Sequence, residues 1–192
     1  MVFGTILTGG QQVPADSGSL ATGTVLLDFN EAGDLTYDLT VYGLDFGSFI
    51  GEGTPQTPDT ADDVTGINFN NAPIGEVGDL AFGVVGVDGD DDLIFTPNAD
   101  GSTTISGIWE EADTAAIPLS TFSPGLNSAV ATTAETRTPQ VSDLYLNIPT
   151  VGDPEGAIRG QVTSISPDVS EMLSTIDPVV LNGLVVPETP AI

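Results

Sequence analysis

Before residue 166 the apolar residues come in strand-length runs, and no stretch shows convincing helical periodicity. In LTYDLTVY, residues 35–42, Leu35, Tyr37, Leu39 and Val41 alternate with Thr36, Asp38, Thr40 and Tyr42, the period of a strand with one buried face. Comparable runs lie near residues 2–7, 23–29, 64–69, 80–87, 92–96, 103–109, 144–148 and 157–165, separated by Gly, Pro, Asn and Asp. NEAGD (30–34), VDGDDD (87–92) and NADG (98–101) read as hairpin turns, because Asn, Asp and Gly tolerate positive φ. Nine short strands with such turns predict an all-β fold: an antiparallel sandwich or barrel.

Charge constrains function more than it constrains fold. The 192 residues include 28 acids and two arginines, with no lysine and no histidine, for a formal charge of −26. Such charge accompanies disorder only when hydrophobicity is low, and here 40% of residues are apolar. A folded chain with its carboxylates on the surface is expected. Nucleic acid is excluded as a partner, since two arginines make no cationic footprint. An anionic membrane surface repels the chain for the same reason, and no apolar run nears the ~18 residues of a spanning helix. Cations are the expected partners of this surface, Ca²⁺ above all. Without cysteine there are neither disulfides nor thiolate metal sites. MVFGTILTGG lacks a basic leader region, so no signal peptide is expected within the chain.

Residues 46–63 and 110–141 interrupt the strands as long loops rich in Thr, Ser, Ala, Pro and Gly, with a short helix expected in EEADTAA (110–116). At Ser166 the texture changes. Residues 1–165 read as one β domain, and 166–192 as a C-terminal extension: a short helix from SPDVSEML, then an extended apolar segment. That segment, IDPVVLNGLVVP (176–187), holds seven Ile, Val or Leu residues and no charge after Asp177. It needs a surface to bury against, as an extra strand on its own domain or on a neighbouring copy. The first strand, 2–7, is expected to leave such an edge open or to be donated itself.

The blocks LTGGQQVP (7–14), ATGTVLLDF (21–29), LTYDLTVYGL (35–44), ISGIW (105–109) and LYLNI…GAIRGQV (144–162) resemble those of the CHRD domain, named for chordin and widespread in bacterial secreted proteins. The resemblance covers residues 3–165 in order. It implies an immunoglobulin-like Greek-key sandwich and an extracellular or cell-surface setting. Where the family has A-H-I-H-G-P and Y-V-N-V-H-T, this chain places Asn68, Asn70 and Pro149 at the histidine positions. Asn is a poor transition-metal ligand, so no transition-metal site is carried over.

Three acidic groups are candidate cation ligands. Asp88, Asp90 and Asp92 alternate in DGDDD, the spacing that opens a helical-hand calcium loop, although the glycine and glutamate that complete such a loop are missing. Asp59, Asp62 and Asp63 lie in the first long loop; Glu110, Glu111 and Asp113 follow Trp109. Loops converging at one end of a sandwich can build a composite Ca²⁺ site; otherwise these are solvated turns of an acidic surface. Arg159, between the turn VGDPEG and a returning strand, is expected near a strand end with a carboxylate such as Glu155 or a first-loop acid as its partner.

No catalysis is expected. A serine nucleophile lacks a base without His or Lys, and adjacent loop carboxylates such as Glu110 and Glu111 are solvated charges more often than a hydrolytic pair. The expected function is a non-enzymatic secreted structural or interaction protein of a cell surface or extracellular matrix. It assembles with itself as a homo-oligomer or filament by strand exchange and is stabilised by calcium. The alternative is a calcium-dependent module that binds extracellular polysaccharide or protein, with Trp109 as its aromatic platform.

Overall fold

The computed structural model describes residues 2–30, 32–50, 53, 55–86, 89–122 and 141–165. Nine strands form one antiparallel sheet: β1 (Val2–Thr8), β2 (Thr22–Phe29), β3 (Leu35–Tyr42), β4 (Asn68–Asn71), β5 (Asp79–Gly83), β6 (Ile94–Pro97), β7 (Thr103–Trp109), β8 (Val141–Ile148) and β9 (Ile158–Ser164). Their order is β5-β4-β8-β9-β1-β2-β3-β7-β6, and no α-helix occurs among the described residues. The all-β expectation holds, and so does the two-residue period: Leu35, Tyr37, Leu39 and Val41 are buried on β3, as are Thr103, Ile105, Gly107 and Trp109 on β7.

The sheet curls until its two ends face each other. Phe82 of β5 stacks on Trp109 of β7 with ring centroids 4.8 Å apart, although six strands lie between them in the sheet. Phe69 of β4 lies 5.6 Å from Trp109 and 6.0 Å from Tyr37. Burying both faces of these rings closes the core of a sandwich-like half-barrel. Antiparallel β1–β9 pairing, from Phe3 opposite Ser164 to Thr8 opposite Arg159, links its two halves. The connections β3→β4, β5→β6 and β7→β8 each pass from one half to the other.

That topology corrects four expectations. β1 is central, paired with both β2 and β9, so it neither leaves an edge nor is donated; the edge strands are β5 and β6. Residues 87–92 do not form a hairpin, because β5 and β6 occupy opposite edges and the stretch is a crossover. The strand expected over 64–69 begins at Asn68; before it, Val64 makes an isolated bridge to Thr150 and Asp63 one to Asp45. EEADTAA forms a turn and no helix: Asp113 Oδ2 accepts the Glu110 N–H at 2.9 Å, satisfying locally what a helix would satisfy by propagation. The other two turns are hairpins as expected, with Asn30 and Asn98 bonded across them. Residues 166–192, with the expected helix and apolar segment, lie outside the described residues.

Candidate cation-binding loops

The β5→β6 crossover carries the first acidic group across the open end of the core. Asp90 donates its N–H to Val84 O at 3.1 Å, which turns its side chain inward until it is 9% exposed. There the carboxylate accepts the Tyr37 hydroxyl of β3 and, at 2.9 Å, the Asp92 N–H. Asp92 also accepts the Ile108 N–H of β7 at 2.8 Å. The loop after β7 delivers Asp113, and carboxylate oxygens of Asp90, Asp91 and Asp113 come within 4.8 Å of one another. Three hard oxygen donors so close repel one another unless a cation or protons neutralise them, which suits Ca²⁺.

The second group forms where the chain leaves β3. Asp45, 2% exposed, receives the Gly47 N–H at 2.6 Å and the Thr57 N–H at 2.7 Å, folding the first long loop around its carboxylate. Thr57 Oγ1 donates to Asp62 at 3.0 Å, and oxygens of Asp45, Asp62 and Asp63 also lie within 4.8 Å of one another. Burial, with Asp45, Asp62 and Asp59 nearby, pushes the Asp63 carboxyl above its usual range.

The acidic loops therefore do not all converge. Leu35 pairs with Trp109 and Val41 with Thr103, so Asp113, beyond Trp109, and Asp45, beyond Tyr42, lie at opposite ends of the sheet. Of the expected ligands, Asp90 and Asp113 belong to one group and Asp62 and Asp63 to the other, while Glu110 and Glu111 belong to neither. Asp92, which accepts the Ile108 N–H, and Asp59, which accepts the Ala61 N–H of its own turn at 3.0 Å, belong to neither group, and Asp88 lies outside the described residues. Asp45 and Asp91 are not among the ligands expected from the sequence. The available signal for Asp45 was an acid inside the apolar run GLDF.

Burial first, and then the side-chain bond and charge of Asp92, push the Asp90 carboxyl up to about 6, although the Tyr37 hydroxyl and the Asp92 N–H oppose the shift. Burial and neighbouring acids raise Asp113 and Glu110 as well. Since the folded protein binds the Asp90 proton more tightly than the unfolded chain does, its contribution to stability is complete below the ordinary carboxylate range. It is lost as pH rises through about 6. The fold is expected to be more stable at pH 5 than at pH 7.5, by at most about 1.4 kcal/mol from this group and less with partial solvent access. Asp90→Asn, which keeps an acceptor for Tyr37, should flatten the profile measured by thermal melts; an unchanged slope would contradict the assignment.

Two other expectations change. Trp109 exposes no surface, enclosed by Phe69, Phe82 and Phe122, so it offers no platform to a sugar. Arg159 does start a returning strand, opposite Asn147, but its partners among the described residues carry no formal charge. Its Nη2 donates to Glu76 O at 2.7 Å and to Gln161 Oε1 at 3.4 Å, and its Cζ lies 3.5 Å from the Tyr145 ring centroid. Burial lowers its pKa.

Comparison with protein-family models matches the CHRD domain over residues 3–162. No curated protein and no solved structure matches the chain.

Proposed function

The chain belongs to the CHRD domain family, whose domains occur in secreted proteins, and from that footing we propose a non-enzymatic structural protein of a cell surface or extracellular matrix. It associates with copies of itself by adding the apolar segment 176–187 to a neighbour's sheet, and Ca²⁺ at the acidic groups stabilises its loops. The observation that supports this reading is the unclosed sheet: among the described residues β5 and β6 are edges and do not pair with each other. Edge strands are templates for added strands, and one segment of this acidic chain is apolar and uncharged enough to be added without repulsion.

Light scattering and electron microscopy of the full chain, and of a chain truncated after Ser164, test the proposal. Assemblies are expected from the full chain and folded monomers from the truncated one. A full chain that stays monomeric at all concentrations contradicts self-association. Millimolar Ca²⁺ is expected to raise the melting midpoint more than NaCl at matched ionic strength, because specific binding adds to screening. Equal effects of the two salts would leave only screening.

A further inference from the structure

The β4–β5 connection, residues 72–78, folds over the outer face of β8 and β9 and is held there by buried polar side chains. Arg159 donates to Glu76 O, Gln161 Nε2 to Ala72 O at 3.0 Å, and the Tyr145 hydroxyl accepts the Gly78 N–H at 3.1 Å. Tyr145, Arg159 and Gln161 alternate with core-facing Leu144, Leu146, Ile158 and Val162, so they lie on the face opposite the main core, yet each is at most 5% exposed. The connection is what covers them.

The solvent side of this mount is apolar. Ile74 is 69% exposed, Val77 65% and Leu80, next along on β5, 44%. Leu80 pairs with Asn70, which pairs with Tyr145, so it shares the outer face with the connection. Single exposed apolar residues are ordinary, but three within seven residues, two of them on a loop fixed from below, make a surface that cannot turn inward without releasing Arg159 and Gln161.

The chemistry of the occupant is narrow. Glu76 and Asp79 flank the ledge and are exposed, so an acidic segment is repelled, and with 28 acids in the chain few segments qualify. Residues 179–186, VVLNGLVV, carry no charge and six Val or Leu side chains. Reach also permits it. Thr163 pairs with Val141, Asn71 with Leu144 and Asp79 with Asn71, so β9 ends at the same end of the sheet as this connection. Three strand spacings, about 14 Å, separate β9 from β5, and an extended linker over 166–178 spans up to ~40 Å.

We propose that the ledge of Ile74, Val77 and Leu80 is the seat for segment 179–186 of a neighbouring copy. The inference rests on the self-association proposed above and names its receiving surface. The same reach makes the chain's own segment the competing occupant.

The chain has no cysteine, so introduced thiols report cleanly. Val77→Cys and Leu184→Cys proteins are mixed in equal amounts at assembling concentration and oxidised; the double variant is oxidised in parallel. A disulfide-linked heterodimer from the mixture, well above the symmetric dimers of either variant alone, and a ladder from the double variant are expected. If the double variant instead closes only on itself as a monomer, the seat is filled by its own chain and the neighbour is overturned as occupant. Absence of cross-links while light scattering still shows assemblies would mean that the ledge is not the seat and self-association stands. Absence of both would mean that self-association itself has failed, and this inference with it.

Discussion

Arg159→Ala is expected to lower the stability of the fold by about 2–3 kcal/mol, a large effect for a residue with no charged partner among the described residues. The guanidinium is 3% exposed and reaches across 83 positions to the Glu76 carbonyl. Removing it leaves that carbonyl without its donor beneath a covering loop and takes the cation from the Tyr145 ring. The desolvation cost of burying a cation is relieved at the same time, which keeps the loss from being larger. Arg159→Lys should recover little, since an ammonium lacks the planar fork that reaches Glu76 O and Gln161 together while lying on the ring. Chemical denaturation gives the value directly, and protease cleavage near residues 72–78 should accelerate in the variant. A midpoint equal to that of the parent chain would remove Arg159 from the set of residues that hold the fold.

Gly107→Ala is expected to cost about 2–4 kcal/mol although it adds one methyl group. Gly107 faces the core in the middle of β7, where the hydroxyl of Tyr37 and the carboxylate of Asp90 meet. A Cβ there would overlap both oxygens and sit 2.8 Å from Tyr37 Cζ. Neither neighbour can step aside cheaply: Tyr37 is 2% exposed and edge-packed on Phe69, and Asp90 is tied to the crossover through Val84 and Asp92. Accommodation therefore breaks the Tyr37–Asp90 bond and displaces the loop that carries Asp90 and Asp91. If the acidic group binds Ca²⁺, the same variant should lose the calcium-specific part of its thermal stabilisation along with baseline stability. A melting midpoint within one or two degrees of the parent would show that the end of the core yields far more readily than its packing indicates.

What the sequence determined by itself is the set of strands and the sense of the charge. Alternation in LTYDLTVY or TTISGIW needs no knowledge of neighbours, because side chains on a strand point to alternate faces whichever strand lies beside it. Turns at Asn30 and Asn98 were legible for a similarly local reason: a short side chain bonds its own backbone within a few residues. The expectation that nucleic acid is no partner likewise rests on composition, without reference to any fold.

Pairing was decided only by the tertiary structure. Strand order depends on which apolar faces find each other across the core, and those contacts join residues far apart in the chain. DGDDD thus looks like a hairpin locally, yet β5 and β6 end on opposite edges and the stretch becomes a crossover. The acidic groups follow the same rule. Asp90 meets Asp113 because the crossover and the loop after β7 share one end, while Asp45 gathers Asp62 and Asp63 at the other. Arg159 shows the difference most directly. Its rarity in an acidic chain suggested a carboxylate, since opposite charges attract at any distance that composition can express. Its burial under residues 72–78 instead gave it a carbonyl and an aromatic face, partners that only the folded loop brings within reach.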